Sequence, residues 1–255
     1  MLDDITPLII THNEAPNIGR TLSRLAWARQ IVVVDSGSTD GTLEILEANA
    51  KVSVHTHKFE TFATQCNFGL GFIKTPWVLS LDADYILSQE LIEELRGLHP
   101  DACTAGYRVK FTYAVHGRNL RGSLYPPRIA LYRLNRSRYV DEGHGHRVNV
   151  DGPISDLAGR IFHDDRKDIG RWFSSQQKYA RQERDYIMLD RVGREVAMAD
   201  KIRRVGWPAP FLAFLYTLFI KGCLFDGRAG WHYALQRLIA ESMLALELTD
   251  QRLRK

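Results

Sequence analysis

The first hundred residues alternate short apolar, mostly β-branched runs with segments of helical pattern, and this alternation constrains the fold more than any other feature. We predict strands at residues 5–10, 31–34, 52–55 and 77–81, helices at residues 18–28, 42–50 and 61–73, and a further helix that Ser88 caps and that runs to about residue 98. Such alternation is typical of an α/β fold with a doubly wound, mostly parallel sheet flanked by helices.

Three polar clusters follow directly after predicted strands, at residues 11–14, 35–39 and 82–84. In open parallel sheets, ligands bind beyond the carboxyl ends of the strands. We therefore expect these clusters to form one binding site at a single edge of the sheet.

The second half of the chain has a different pattern. Residues 105–150 are typical of strands and loops, and residues 128–133 alternate charged and apolar side chains as a half-exposed strand does. Beyond Asp168 the pattern indicates helices rich in arginine, lysine and aromatic residues. We predict an α/β domain at residues 1–165 and a C-terminal helical region at residues 166–255.

Composition indicates a globular protein with one substantial core, since 45% of the 255 residues are hydrophobic and 25% are charged. The net charge of +4 favours anionic partners without choosing among them. Cys66, Cys103 and Cys223 form neither a disulfide framework nor a paired metal spacing, which favours a reducing compartment. Asp3 and Asp4 stand where a signal peptide needs positive charge, so we expect a cytoplasmic protein.

The sharpest local feature is the pair of carboxylates at Asp82 and Asp84, one residue apart after an apolar strand. Two carboxylates so placed direct oxygen ligands towards a hard divalent cation, which keeps positions open for substrate phosphates. An isolated Asp-X-Asp is more often a solvated turn. The strand before it and the predicted cap at Ser88 favour the cation site here.

Residues 35–42 combine a strand-to-helix turn with residues that cap helices, and we predict a capping role for Ser38, Thr39 or Asp40. Asp35 differs, because at the end of a buried strand its side chain could reach a base imide or a ribose hydroxyl. Residues 11–14 have the same placement after the first strand.

Together these segments resemble the family 2 glycosyltransferases, which are inverting enzymes with a GT-A fold. The resemblance rests on residues 11–14, 31–42, 65–67 and 82–84, in that order and at the family's usual spacing. It is strongest to the subgroup that includes lipopolysaccharide core glucosyltransferases. It extends more loosely into the second half through residues 125–128, 163–167 and 222–227.

The resemblance implies a role for each matching residue. Asp84, Asp82 and His163 would hold a divalent cation, Mn²⁺ or Mg²⁺. By their charge, Arg166, Lys167 and Arg171 are candidates for contacts with the diphosphate or the acceptor. The subgroup more often has an acidic residue where this chain has Tyr85. The nucleotide, expected to contain uridine, would be bound by Thr11, Asn13, Glu14, Asp35, Ser36, Asn67 and Asp82.

An inverting transfer also needs a base to deprotonate the acceptor hydroxyl. Family members carry a carboxylate near residues 140–147, so Asp141 and Glu142 are the candidates. His144 and His146 in the same segment are equally compatible with acceptor contacts, a second metal site or a structural turn.

Residues 205–220 form a run of 16 residues without charge, between Arg203-Arg204 and Lys221. The run is short for a membrane span, and Pro208 and Pro210 interrupt its start. Residues 201–237 hold six basic side chains against one acidic, which suits a helix lying among anionic headgroups. A core helix buried against the rest of the protein is the alternative.

The sequence thus predicts a metal-dependent transferase that moves a sugar from a nucleoside diphosphate sugar to a glycan or lipid-linked acceptor. By resemblance it would work in cell-envelope polysaccharide or lipopolysaccharide core synthesis, peripherally at the inner face of the cytoplasmic membrane. A nucleotidyltransferase is disfavoured because residues 11–16 contain neither glycine nor lysine. No nucleic-acid motif is present, so no nucleic-acid partner is expected. A catalytically degenerate nucleotide-sugar-binding protein is the remaining alternative.

Overall fold

The computed structural model describes residues 1–142, 145–188 and 198–254, without the side chains of residues 142, 145 and 146. The chain divides into two compact units. The first comprises Met1–Ala114 and Tyr125–Arg166, and the second Val115–Leu124 and Lys167–Lys255. The assignment of a catalytic role to residues 1–165 stays a prediction.

The strands are β1 Ile5–Thr11, β2 Ile31–Asp35, β3 Val52–Thr56, β4 Trp77–Asp82, β5 Tyr85–Leu87, β6 Gly106–Val115, β7 Arg118–Asn119, β8 Arg128–Arg133, β9 Ser137–Glu142, β10 Gly145–Val150 and β11 Ile154–His163. Except for β7 and the last residue of β6, the strands lie in the first unit. The large sheet has the order β3-β2-β1-β4-β8-β6-β11-β5, while β9 and β10 form a separate two-stranded sheet.

Four of the seven pairings along this strand order are parallel. The pairs β1–β2, β2–β3, β1–β4 and β6–β11 are parallel, whereas β4–β8, β6–β8 and β11–β5 are antiparallel. The predicted α/β fold with a mostly parallel sheet flanked by helices is therefore confirmed. The antiparallel pairs enter through β5 and β8.

The helices of the first unit follow its strands. They are α1 Ile18–Ser23, α2 Thr42–Glu47, α3 Phe62–Leu70 and α4 Gln89–Gly97. The Ser88 hydroxyl accepts the Leu91 N–H and so caps α4 as predicted. Helix α1 is shorter than predicted, because from Arg24 to Ala28 the backbone turns through bonds three residues apart instead of four.

The core explains the continuous apolar strands and corrects one prediction. Residues 31–34 of β2 are fully buried, as expected for a strand covered on both faces. Strand β8 is not half-exposed: Ala130, Leu131 and Tyr132 are consecutive and all buried. The reason is that both faces of the strand are covered at this point, since Leu131 packs in one buried apolar cluster and Tyr132 in another.

The second unit is helical and exposes many apolar side chains. Its helices are α5 Ile169–Met188, α6 Met198–Val205, α7 Pro208–Leu215 and α8 Gly227–Leu253, with a π-helical turn at Tyr216–Ile220 and a 3₁₀ turn at Cys223–Asp226. Within the described helices, none has both the length and the apolar character to cross a bilayer alone. The segments Pro208–Ile220 and Cys223–Leu253 are long and apolar enough for a bilayer span only when they are taken together, and the pair is bent by 73°.

Candidate active site

The predicted polar clusters meet at a topological switch point of the sheet. From β1 the chain winds outwards through β2 and β3, and it returns to pair β4 with the other side of β1. Thr11 lies opposite Asp35, and Ile10 opposite Asp82, in the strand register. Ligands of doubly wound sheets bind in the crevice at such a point. The prediction that the clusters share one edge is therefore confirmed.

The loop after β1 is hydrogen-bonded to the loop after β2. Asn13 has a positive φ of 56°. Its N–H donates to the Ser38 hydroxyl at 2.7 Å, and its side-chain oxygen accepts the Thr39 N–H at 2.7 Å. The Glu14 N–H donates to the Thr42 hydroxyl at 2.7 Å. The two loops thus form a single braced surface rather than two independent turns.

The predicted N-cap of α2 is wrong in position. The N-cap is Gly41, whose φ is 89° and which has no side chain to cap the helix, rather than Ser38, Thr39 or Asp40. Asp40 instead accepts the backbone N–H of Thr42 and of Ala15, each at 3.2 Å. Burial raises the pKa of Asp40, but these bonds and the Thr42 hydroxyl outweigh it and lower the pKa below its usual value.

Asp35 is fully buried and forms the anchor of its loop. Its Oδ1 accepts the N–H groups of Gly37 and Ser38, both at 2.8 Å, and its Oδ2 accepts the Ser38 hydroxyl. Ser36, the next residue, accepts a hydrogen bond from the Gln65 amide at 3.0 Å. These contacts give both residues a structural role, and their contact with a nucleoside stays a prediction.

Thr11 and Glu14 lie on the same edge with different surroundings. The Thr11 hydroxyl is buried and has no hydrogen-bond partner among the described residues. Buried hydroxyls are nearly always paired, so an orphaned one at a strand end indicates a water or a ligand. The Glu14 carboxylate accepts from the Asn17 amide at 2.8 Å.

A buried ion-pair network that sequence reasoning missed ties α1 to the segment after β11. Asp164 is buried, and its Oδ2 lies 2.8 Å from Arg20 Nη1 and 2.9 Å from Arg166 Nε. Arg20 also donates to the Asn17 side-chain oxygen at 2.6 Å. Arg166, predicted to neutralise a diphosphate, therefore already has a carboxylate partner. In the sequence, one part of this network is indicated: Asn17 and Arg20 lie three residues apart, a spacing at which side chains on a helix meet.

His163 and Asp84 are brought together as the resemblance implied. His163 Nε2 lies 3.0 Å from Asp84 Oδ2, because β11 pairs with β5 directly after the Asp-X-Asp segment. Burial lowers the pKa of His163, but the Asp84 carboxylate more than offsets it, so the pKa is raised. His163 Nδ1 is buried without a partner in the described part of the chain.

The donor chemistry at this edge fits a hard divalent cation. Asp82 ends β4 and Asp84 follows Ala83, whose carbonyl is held by the Thr21 hydroxyl at 2.7 Å. Within the described residues, no three or more candidate ligands form a ready metal cluster. Mg²⁺ and similar ions are often held by one or two carboxylates plus substrate phosphates and water, so two carboxylates suffice. Cation binding here stays a prediction.

Asn67 holds strand β9 in place. Its amide donates to the Tyr139 carbonyl and accepts the Tyr139 N–H, both at 3.0 Å. The Tyr139 hydroxyl donates to Ser80 on β4 at 2.6 Å. Asp141 is two residues further along β9 and so lies on the same face as Tyr139, where it is exposed. Asn67 thus positions the strand that carries a candidate base.

Some predicted site residues lie elsewhere. The side chains of Glu142 and His146, and the whole of His144, are outside the described residues, although the His146 backbone pairs with that of Asp141. Lys167 and Arg171 belong to the second unit. The Arg171 N–H donates to Asp168 at 3.0 Å.

A cavity of about 640 Å³ opens beside Asp82 and extends along β8. Its walls include Tyr85 and Tyr139, and it carries three arginines that the sequence alone did not single out as ligands: Arg108, Arg128 and Arg147. In the sequence, Arg128 is marked by its position directly after two prolines, at the start of β8.

The first unit matches a known family. The model of glycosyl transferase family 2 matches residues 7–150, which contain most of the cavity wall and most of the predicted site. Similar curated proteins include an uncharacterized glycosyltransferase of Rickettsia felis, 28% identical over 63% of this chain and 59% of its own length. Another from Rickettsia bellii is 33% identical over 53% and 47%.

A named relative is also similar. The lipopolysaccharide core biosynthesis glycosyltransferase LpsC of Rhizobium meliloti is 29% identical over 55% of this chain and 52% of its own length. The chain therefore spans about half to three fifths of the curated relatives that it matches.

The fold is similar to that of S. aureus TarS residues 1–349, solved in complex with UDP. The two share 16% identity with a TM-score of 0.50, over 98% of this chain and 92% of that one. This similarity supports the predicted GT-A type of fold.

Proposed function

The chain belongs to glycosyl transferase family 2, and we propose that it transfers a hexosyl unit from a nucleoside diphosphate sugar to a glycan or lipid-linked acceptor, inverting the anomeric carbon. The observation that carries the proposal is the strand register. It sets Thr11, Asp35 and Asp82 side by side at the switch point, inside the segment that matches the family.

The donor side of the site is the braced loop surface after β1 and β2. The buried Thr11 hydroxyl, which has no partner among the described residues, can donate to a nucleoside, and the Glu14 carboxylate can accept from it. We propose a uridine nucleotide on the basis of the family resemblance. The protein with the similar fold, TarS, has been solved in complex with UDP.

The reaction is a single displacement. The acceptor hydroxyl oxygen bonds to the anomeric carbon while the bond from that carbon to the diphosphate oxygen breaks, and the bonding electrons leave with the nucleoside diphosphate. The acceptor proton passes to the carboxylate of Asp141, which is exposed on the face of β9 that also carries Tyr139. Glu142 is the alternative base.

Asp82 and Asp84 would hold a divalent cation, with His163 fixed beside Asp84. When bound, such a cation neutralises the charge that develops on the departing diphosphate. The chain's own part is to hold the two carboxylates at the strand end, through the contact of the Ala83 carbonyl with Thr21.

A thermal-shift screen of sugar nucleotides, with Mn²⁺, Mg²⁺ or a chelator, tests the proposal and identifies the donor. A ligand that binds only the folded state raises the unfolding midpoint by mass action. We expect a cation-dependent shift with one nucleotide class. No shift with any of them on folded protein would favour a degenerate binding role.

Product stereochemistry tests inversion. With the donor found in the screen, the sugar released to water is followed by proton NMR before it mutarotates. An α-linked donor should give the β-anomer first. Initial release of the α-anomer would rule out a single displacement.

The similarity to LpsC leads us to propose an acceptor of the cell envelope, such as the lipopolysaccharide core, and a site of action at the inner face of the cytoplasmic membrane. The second unit supports the membrane contact. Trp207 and Phe225 are 75% and 70% exposed, and Phe211 and Phe219 are exposed as well. Lys221 lies near the ring of Tyr216, as cationic side chains do around aromatic groups at a membrane surface.

Vesicle co-sedimentation tests the membrane contact. We expect binding to phosphatidylglycerol vesicles and much weaker binding to phosphatidylcholine vesicles, since charge attraction adds to apolar burial. The double substitution Trp207→Ser and Phe219→Ser should abolish it. Leu246→Ser, at another exposed apolar position of the same unit, is the matched control. Equal behaviour of the two variants would contradict the proposed surface.

A further inference from the structure

We propose that the cavity beside Asp82 binds the acceptor through an anionic group, a phosphate or a carboxylate, which that acceptor carries. The inference rests on the proposed transferase function and adds the chemical class of the acceptor. Three observations support it: the position of the cavity in the sheet, the positive charge of its wall, and the aromatic side chains that line it.

The cavity lies on the side of Asp82 that faces away from the nucleoside residues. In the sheet, β2 and β1 lie on one side of β4, and β8 and β6 lie on the other. Thr11 and Asp35 end the first two strands, whereas the cavity is walled by residues of β8, β6 and β10. A donor on β1 and β2 and an acceptor in the cavity would therefore meet at Asp82.

The charge of the cavity wall is positive. Among its described lining residues, three are arginines, Arg108, Arg128 and Arg147, and one is a carboxylate, Asp82. Arg guanidinium groups bind phosphate and carboxylate through paired, charge-assisted hydrogen bonds. An anionic group on the ligand would gain from this excess of positive charge, whereas a neutral sugar would not.

Arg128 is the best placed of the three. Its guanidinium carbon lies 4.5 Å from the centre of the Tyr125 ring, which orients the group. No carboxylate of the described residues lies within ion-pair distance of it. Arg108 has a partner, Asp156, at 3.3 Å, but both side chains are largely exposed, and such surface pairs are weak enough to exchange for a ligand.

The remaining wall suits a sugar next to a reacting hydroxyl. Tyr85, Phe111 and Tyr139 supply ring surface. The volume of about 640 Å³ is within the usual range for small-molecule sites, roughly 300–1,000 Å³. Asp141 follows Tyr139 on the same face of β9, so the candidate base lies on the acceptor's side of the site.

The experiment compares three probes that share the same type of sugar ring: glucose, glucose 6-phosphate and glucuronate. Their affinities are measured by calorimetry at constant ionic strength, on protein saturated with UDP and Mn²⁺. We expect both anionic sugars to bind at least tenfold more tightly than glucose. Anionic sugars that bind no more tightly than glucose would overturn the inference.

Matched variants locate the binding. Arg128→Gln should weaken glucose 6-phosphate binding at least tenfold and leave UDP binding unchanged. Arg138→Gln should change neither, because Arg138 is an exposed arginine on β9 that alternates with Tyr139 and so lies on the opposite face. An Arg128→Gln variant that binds glucose 6-phosphate like the wild type would contradict the assignment.

Competition separates the acceptor site from the donor site. If UDP displaces glucose 6-phosphate and Arg128→Gln weakens UDP binding, the cavity takes the donor's diphosphate and the inference is wrong. Failure of the proposed function would look different. In that case UDP would not bind to the folded protein, while glucose 6-phosphate would still bind without it and depend on Arg128.

Discussion

The two sides of Asp82 are built in opposite ways. On the side of β1 and β2, polar side chains bind to each other: Asp35 holds its own loop and Asn13 holds the loop of its neighbour. On the side of β8 and β10, Arg128 lines an open cavity, and Asp141 on the neighbouring strand β9 is exposed. The first side is held together by internal hydrogen bonds, whereas on the second Arg128 and Asp141 are accessible to solvent or ligand.

This difference separates two kinds of site residue. A buried carboxylate with three internal hydrogen bonds contributes to stability whether or not a ligand is present. An exposed carboxylate or guanidinium contributes little to folding, so its cost of removal appears only in binding or catalysis. The comparison therefore predicts that substitutions on the loop side unfold the protein more easily, while substitutions on the cavity side impair transfer.

The largest effect is expected on the cavity side, from Asp141→Asn. If Asp141 is the base, transfer should fall about 10²- to 10⁴-fold. The free energy of unfolding should change by less than about 0.5 kcal/mol, because the side chain is exposed. The matched control is Asp151→Asn, at an exposed aspartate just after β10. Full activity of the Asp141 variant would leave Glu142 as the candidate.

Among the buried contacts, the one that Asp164 makes with α1 should cost the most stability when removed, in Asp164→Ala. It leaves Arg20 and Arg166 without their shared carboxylate. Breaking a fully buried pair costs about 3–5 kcal/mol, and we expect roughly 2–3 kcal/mol here because the two arginine side chains are 26% and 42% exposed. Urea unfolding measures it. An unchanged midpoint would mean that the network does not hold α1.

Asn67→Ala connects the two sides of Asp82. Asn67 lies on α3, which packs against β1 and β2, but its side chain holds β9 in place. The substitution leaves the Tyr139 N–H and carbonyl unpaired, which should cost about 1–3 kcal/mol. Transfer should fall as β9 loses its position, while UDP affinity should stay the same. A fall in UDP affinity instead would support the prediction that Asn67 lines the nucleotide pocket.

Ser36→Ala should have the smallest effect on folding, about 0.5–1.5 kcal/mol, since it removes one hydrogen bond from Gln65. The measurement is UDP affinity beside urea unfolding. A drop in affinity without loss of stability would show that Ser36 binds the nucleotide. A loss of stability without a loss of UDP affinity would show that Ser36 supports only the structure of the loop.

Much of this arrangement could be predicted from local sequence. The strands before residues 11, 35 and 82 are apolar runs, and the carboxyl ends of neighbouring parallel strands must meet, so their polar clusters had to share an edge. The pairing of His163 with Asp84 followed from resemblance alone, because 79 residues separate them.

The partners of the predicted residues could not be found in this way. Asp164 pairs with Arg20 across 144 residues, a contact that no periodicity signals. The alternation in β8 indicated an exposed face, but Leu131 and Tyr132 pack into two different apolar clusters, so both faces are covered there. Likewise, nothing in the sequence near Asn67 shows that Tyr139 completes its hydrogen bonds.

The central claim is that the edge holding Asp82 and Asp84 binds a nucleoside diphosphate with a cation. Calorimetric titration of UDP into the protein, with Mn²⁺ and with a chelator, tests it most directly. We expect the protein to bind UDP at least tenfold more tightly with Mn²⁺, and we expect Asp84→Asn to abolish that gain. Folded protein that does not bind UDP, or binds it equally well with the chelator, would contradict it.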